Sequence, residues 1–204
     1  MSLYSRWVFP SLCEFALNRP MVAERRRALL AAAQGNVLEI GMGTGLNLPH
    51  YPQQVRRITA VEPNAGMNRK ALARMAESGM EVDQRQLGGE QLPFDSAAFD
   101  CVVSTFTLCS IAGVQQALAE VYRVLKPGGQ FLLLEHGLSN EPNVARWQRR
   151  LNGLERLLAD NCHLDRDIRG LVAAQPFASL EARSYYLEKL PKTHSFITEG
   201  VATK

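Results

Sequence analysis

The chain has 204 residues, 46% hydrophobic and 21% charged, with a formal net charge of +3. That suits one soluble globular domain with a substantial core. The positive charges are scattered apart from Arg25-Arg26-Arg27 and Arg149-Arg150, read as solvated helix faces, so the charge argues against a nucleic-acid partner.

At the N-terminus, Arg6, Glu14 and Arg19 interrupt the apolar residues, so the segment is no clean signal peptide. No apolar run approaches the ~20 residues that cross a bilayer. "YSRWVFPSLCEFAL" is amphipathic: it is expected to cover a site or pack on the core, the alternative being peripheral contact with a membrane surface. Cys13, Cys101, Cys109 and Cys162 include no CxxC pair, which predicts a reducing, cytoplasmic location and no structural disulfide.

The stretch from about Pro20 to Ala33 reads as a helix ending near Gln34-Gly35. "NVLEI" is the first buried strand, "RITAV" the second, "MEVDQRQ" a weaker third and "FDCVVSTF" the fourth. "QQALAEVYRVL" is an amphipathic helix with Ala117, Leu118, Val121, Val124 and Leu125 on one face, broken at Lys126-Pro127-Gly128-Gly129. "QFLLLEH" is the fifth strand. "VARWQRRLNGLERLLAD" reads as a helix or helix pair and "DRDIRGLVAAQ" as a short helix. "SLEARSYYLEKL" and "SFITEGVAT" form an antiparallel pair at the end of the sheet. The alternation predicts a layered α/β fold, a Rossmann-like doubly wound sheet of seven strands, mostly parallel with an antiparallel terminal strand.

The loop "VLEIGMGTGLNLP" places Gly41, Gly43 and Gly45 where the first strand ends, between a buried strand and an expected helix. Bare backbone there lets a ligand lie close. A plain structural turn is the alternative, which Glu62 below weakens. Among ligands, a dinucleotide wants GxGxxG, but Leu46 stands at the last glycine's place. Glu39, two residues before the first glycine, is poorly placed for a pyrophosphate and suits a cation such as the sulfonium and amino group of S-adenosylmethionine. Glu62 ends the second strand, where a carboxylate accepts both ribose hydroxyls of a nucleoside. That feature does not separate S-adenosylmethionine from NAD.

"VLEIGMGTGLNLP", "AVEPN", "LPFDSAAFDCVVSTFTLCSI" and "VYRVLKPGGQFLLLEH" together resemble class I S-adenosylmethionine-dependent methyltransferases, in order from about Asn36 to His136. "GLNLPHYP", "TLCSI", "LKPGG" with "EH", and Trp147 followed by Cys162-His163-Leu164 resemble more narrowly the thiol methyltransferases. The ubiquinone-biosynthesis and phosphatidylethanolamine N-methyltransferases are neighbours. The resemblance implies S-adenosylmethionine as cofactor and S-adenosylhomocysteine as product. It implies Glu39, Gly41, Gly43 and Gly45 around the methionine portion, Glu62 on the ribose, and Pro63 and Asn64 at the adenine edge. Leu87, Gly88 and Gly89 would reach the adenine through backbone groups, Gly88 standing where the family often has Asp or Asn. Thr105 would face the transferable methyl, with Leu108 and Cys109 beside the acceptor. The human thiol methyltransferases carry a hydrophobic N-terminal anchor, which this sequence lacks at its start; the acceptor stays open between a thiol, an amine lipid headgroup and a quinone-like ring.

Residues 1–204 are expected to form a single methyltransferase domain, with 1–35 a helical lid, 36–136 the cofactor-binding core and 137–204 the acceptor-side helices and strand pair. His136, closing the fifth strand beside Glu135, is the candidate catalytic base or else a positioning residue. Tyr4 and Trp7 are expected in the lid, Trp147 in the opposite wall of the acceptor site, and His163 in the acceptor pocket or an ordinary loop. The dispersed histidines and the absence of ligand spacing predict no metal site. The reading is an enzyme, a methyltransferase acting on a small-molecule acceptor; an NAD-type oxidoreductase and a catalytically silent cofactor-binding module are its rivals.

Overall fold

The computed structural model describes residues 2–204, apart from the side chain of Asn68; Met1, the first residue of the expected lid, lies outside the described residues. Among the described residues seven strands form one sheet in the order β3-β2-β1-β4-β5-β7-β6. The strands are β1 (Val37–Ile40), β2 (Arg57–Val61), β3 (Glu81–Arg85), β4 (Phe99–Thr105), β5 (Leu125–His136), β6 (Ser179–Tyr186) and β7 (Phe196–Thr203). β1 to β5 pair in parallel, while β7 runs antiparallel between β5 and β6. This is the doubly wound, Rossmann-like sheet the sequence predicts, with the antiparallel strand last in the chain and second from the edge in space.

Period-two alternation sends successive side chains to opposite faces. On β4 and β5, Val102, Phe131 and Leu133 enter one apolar layer with helix α5 (Val114–Val124) and helix α7 (Ile168–Ala173). Cys101, Val103 and Leu132 enter the other, with Leu30 of helix α3 (Pro20–Leu30). α5 carries its expected stripe: Ala117, Leu118, Val121 and Val124 are fully buried. Burying both faces makes β1 a continuous buried run.

The N-terminal amphipathic stretch breaks into helix α1 (Leu3–Trp7) and helix α2 (Phe9–Leu17). The long helical pattern after β5 is one helix, α6 (Pro142–Leu158), and helix α8 (Lys192–Ser195) turns the chain into β7. Helix α4 (Ala65–Ser78), which the periodicity left unassigned, is capped by the Asn64 side chain on the Gly66 N–H and ended by Gly79 at φ +66°. At the break after α5, residues 126–129 loop out where the register steps from Phe99↔Leu125 to Cys101↔Gln130.

One expectation fails at a place that matters. The helix predicted after the glycine loop is a single 3-10 turn, Leu48–His50, with Pro49 inside it and Pro52 just beyond. Prolines that cannot donate an N–H keep this segment from propagating as an α-helix. Chain reversal between β1 and β4 then opens a cleft at the carboxyl ends of the strands. No helix of the described residues is long and apolar enough to cross a membrane.

Candidate active site

A cleft of about 320 Å³ sits at that switch point, floored by Gly41, Met42 and Gly43 after β1 and by Glu62, Pro63 and Asn64 after β2. Gly41 and Gly43 take φ +70° and +56°, a region that favours glycine. Their roles differ. A Cβ on Gly41 would overlap the Thr107 side chain, whereas one on Gly43 would meet only the Gly41 carbonyl at 4.0 Å. Gly45 does not line the cleft: its Cβ would press on Leu48 at 3.2 Å and on the α4 backbone at Ala71, so it serves packing.

Glu62 is buried, and each carboxylate oxygen accepts one backbone N–H, from Gly43 and Asn64, both at 2.8 Å. Burial pushes its carboxyl pKa above the usual carboxylate range, and these two bonds pull it back. Each oxygen retains a second acceptor direction. The glycine loop thus presents the acid to the cleft as well as lining it. Leu87, Gly88 and Gly89 line the far end together with Glu90, whose carboxylate occupies the space beside Gly88. Thr105 lines the floor.

Glu39, expected beside a cationic ligand, is not among the residues that line the cleft. It lies beneath, fully enclosed, accepting from Asn47 Nδ2 and the Tyr51 hydroxyl, each at 2.8 Å. The cation nearby belongs to the protein. Arg26, also buried, donates from Nη1 to Asn47 Oδ1 and Thr105 Oγ1, each at 2.6 Å, and lines the cleft. This corrects the reading of Arg25-Arg26-Arg27 as a solvated face. Val22, Arg26 and Leu30 form the buried stripe of α3, so a charge on the apolar repeat was the available signal.

Burial pushes the Glu39 carboxyl up from 4.5 to about 7, against hydrogen bonds from Tyr51 and Asn47 and the Arg26 charge, which lower it. The folded chain therefore holds this proton more tightly than the unfolded chain does. The stability it contributes is fully present below pH 4.5 and lost as pH rises through about 7. Glu39→Gln should flatten that decline, seen as melting midpoints of variant and wild type diverging across this window; parallel curves would refute it.

Of the two N-terminal helices, α2 rather than α1 lies over the cleft. Phe9, Cys13 and Leu17 line the cleft. A latch holds α2 to the glycine loop: the Thr44 hydroxyl donates to Glu14 at 2.6 Å, and Arg74 bonds both Glu14 and the Thr44 carbonyl. Tyr4 and Trp7 line neither the cleft nor the chamber described below. Tyr4 donates to the Leu158 carbonyl at 2.6 Å, and Trp7 is 58% exposed between the guanidinium groups of Arg6 and Arg69. Sequence reasoning missed Asp160 and Asn161, which line the cleft from beyond α6 in left-handed backbone; the Asp160 carboxylate accepts from Ser5 and Asn64.

A second cavity of about 340 Å³ adjoins the first, sharing Phe9, Cys13, Leu17, Phe106 and Ser110 with it. Its walls are largely apolar, from Leu12, Ala16, Val22, Leu187 and Leu190. Cys109, His136 and Cys162 line it, as do Glu155 and His194. His136 is buried, and its Nε2 has no hydrogen-bond partner among the described residues. Glu135 points away from this chamber's chemistry: its carboxylate binds the Ser104 hydroxyl and the backbone N–H of Thr107, Leu108 and Cys109, fixing the loop after β4. Leu108 is wholly in the core, His163 stands 3.7 Å from Asp165, and Trp147 is 55% exposed beside Arg150; none of the three lines either cavity.

The cleft fits a nucleoside ligand that carries a carboxylate and no phosphate. Glu62 supplies a diol acceptor, Gly43 leaves room against the backbone, and Arg26 keeps a buried Nε without a partner among the described residues. A pyrophosphate would want a helix N-terminus at the loop, and only a three-residue 3-10 turn follows. Such a fold and cleft are those of a class I S-adenosylmethionine-dependent methyltransferase.

Comparison with known proteins agrees. A family model described as a methyltransferase domain matches residues 38–133. A phosphatidylethanolamine N-methyltransferase of Cereibacter sphaeroides is 30% identical over 159 residues, covering 76% of each chain. A thiol S-methyltransferase of Rattus norvegicus is 35% identical over 137 residues, covering 64% of this chain and 55% of the relative's length. The fold superposes on a Thermotoga maritima structure described as a SAM-dependent methyltransferase, possible histamine N-methyltransferase, with TM-score 0.70, 22% identity and 98% of each chain covered. The chain belongs to the S-adenosylmethionine-dependent methyltransferases, and S-adenosylmethionine is its cofactor.

Proposed function

We propose that this enzyme methylates a small lipophilic thiol held in the apolar chamber behind Phe106. The observation that carries the reading is the junction of the two cavities at Phe9, Cys13, Leu17, Phe106 and Ser110, where a methyl group in the cleft meets an acceptor in the chamber. Residues 1–204 act as one methyltransferase domain. Gly41, Gly43, Arg26 and Thr105 hold the methionine portion, with Arg26 facing its carboxylate. Glu62 holds the ribose diol, and Pro63, Asn64 and residues 87–90 the adenine. When bound, the cofactor supplies an electrophilic methyl on a sulfonium leaving group. The chain's own residues then have three tasks: orienting the acceptor, excluding water, and receiving or displacing the acceptor's proton. A thiol suits such a chamber because its sulfur is soft and its proton easily lost, whereas a hydroxyl would need stronger assistance. His136 and Cys109 touch the acceptor.

Leu3, Trp7 and Phe15 stand exposed on the outer side of α1 and α2, and half-exposed Leu12 also lines the chamber. This supports peripheral contact with a membrane surface that delivers lipophilic acceptors. The four cysteines are free, in keeping with a reducing cytoplasm. Glu155 in the chamber wall favours a second reading, an amine acceptor, since a carboxylate steadies an ammonium.

The test offers labelled S-adenosylmethionine with alkane thiols of increasing length and, separately, ethanolamine phospholipid vesicles, with products identified by mass spectrometry. A methyl thioether is expected. Methylated lipid with no thioether would overturn the thiol reading. S-adenosylhomocysteine should raise the melting temperature and NAD should not; the reverse would overturn the cofactor placement.

A further inference from the structure

Three side chains from distant parts of the chain meet in the wall of the chamber. Cys109 lies in the loop after β4, His136 closes β5, and Cys162 lies between α6 and α7. Their ligand atoms all lie within 4.8 Å of one another, and Cys162 Sγ stands 3.7 Å from His136 Nδ1. Zinc bonds sulfur at ~2.3 Å and imidazole nitrogen at ~2.0–2.1 Å, so tetrahedral ligand atoms stand about 3.6–3.8 Å apart. The trio needs an adjustment of about 1 Å at most to close on such an ion. It is the one cluster of three metal-ligating side chains found among the described residues. No spacing in the sequence announces it, which is why none was expected.

The surroundings hold the two thiols together independently of any contact between them. The residues flanking Cys162 bind the loop of Cys109: His163 N–H donates to the Cys109 carbonyl and Asn161 Nδ2 to the Ser110 carbonyl, both at 2.9 Å. Arg166 binds the Leu108 carbonyl, and buried Glu135 gathers the N–H groups of the same loop. Such outer contacts orient ligands in metal sites. Cys101 provides the contrast: it is buried in the sheet among Val37, Ile58 and Val103, as a packing cysteine should be.

We propose that Cys109, His136 and Cys162 form a zinc site whose open fourth position takes the sulfur of the acceptor. This rests on the thiol reading above. Three protein ligands with a free position is the pattern of catalytic zinc, and all three ligands line the chamber. The acceptor binds as its thiolate, releasing the thiol proton to solvent. Its sulfur lone pair forms the new S–CH3 bond as the methyl–sulfonium bond breaks, that bond's electrons remaining on the departing sulfur. The neutral thioether is a poor zinc ligand and leaves. No oxidant or reductant is required. His136 then contributes as a ligand and not as the proton acceptor.

The experiment measures metal content by mass spectrometry on the full chain, purified under reducing conditions with zinc supplied. It adds the absorption of the cobalt-substituted protein. About one zinc per chain is expected, falling below about a tenth in Cys162→Ser and Cys109→Ser, since each loss leaves two protein ligands. The melting shift with S-adenosylhomocysteine should survive in both variants, which shows that they fold. Adding a thiol should change the sulfur-to-cobalt absorption, and chelation of the wild type should abolish thiol methylation until zinc, not magnesium, is restored. Absence of zinc in the wild type, equal zinc in Cys162→Ser, or a Cys109–Cys162 disulfide in place of metal would overturn the site. Zinc bound with no spectral response to any thiol would overturn the acceptor's place on it. Thioether formation by metal-free protein would overturn the zinc site while leaving the thiol reading standing.

Discussion

Gly43→Val should abolish detectable cofactor binding while leaving the fold in place. Gly43 lines the cleft, and a Cβ built on it meets only the Gly41 carbonyl at 4.0 Å. The added branches enter space that the cofactor needs, so the steric cost falls on the ligand. The backbone, at φ +56°, adds strain of order 1–2 kcal/mol for a side chain with a Cβ. For a chain of this size that corresponds to a fall in melting temperature of roughly 2–8 °C. Affinity for S-adenosylhomocysteine should drop on the order of 100-fold or more, about 2.7 kcal/mol. Gly41→Ala would be a poorer test, because its Cβ collides with Thr107 and disturbs the loop itself. Calorimetric titration decides: unchanged affinity in folded Gly43→Val would refute the placement of the cofactor against this backbone.

Strand content was legible because a doubly wound sheet buries both faces. "VLEI", "RITAV" and "FLLL" are apolar runs with turn residues at their ends, and nothing else in an α/β chain looks like them. Glu62 was legible because an acid at a buried strand end is conspicuous. Position along a strand, however, says little about which way a side chain faces. Glu39 lies only two residues before Gly41, yet it points beneath the cleft to Asn47 and Tyr51. The cation it serves sits in an arginine run in which Arg27 is exposed and Arg25 half-buried over the Tyr185 ring. The amphipathic N-terminal segment does not show in its pattern which residues cover the site: Phe9, Cys13 and Leu17 lie over the cleft, and Tyr4 and Trp7 do not line it. α1 instead lies against α4, where Gly66 allows the Arg6 backbone to approach. Least legible was the meeting of Cys109, His136 and Cys162, which depends on a strand end, a loop and an interhelical connection converging, a tertiary fact with no local period. The shortened helix after the glycine loop was written in Pro49 and Pro52, and it removes the dipole a dinucleotide would use.

Arg26→Met should destabilise the protein and weaken cofactor binding, and the two effects should separate. Burial lowers Arg26 to about 10, opposed chiefly by Glu39, so the side chain is cationic at neutral pH. Methionine keeps the stem and removes the charge, leaving Asn47 Oδ1 without that donor and Glu39 without its compensating cation. Breaking a buried charge arrangement costs roughly 3–5 kcal/mol, or about 6–20 °C of melting temperature. The loss should be smaller at acidic pH. Without the cation, the Glu39 carboxyl rises further above about 7, so below that pH it is neutral in the folded state of both proteins. Adding Glu39→Gln to Arg26→Met should therefore recover part of the stability, because the buried carboxylate is gone. It should not recover affinity for S-adenosylhomocysteine, because Arg26 itself lines the cleft beside Thr105 with a buried Nε free to meet the methionine carboxylate. Recovery of both in the double variant would make Arg26 solely a partner of Glu39. Recovery of stability alone would make it the cation that the cleft presents to its cofactor.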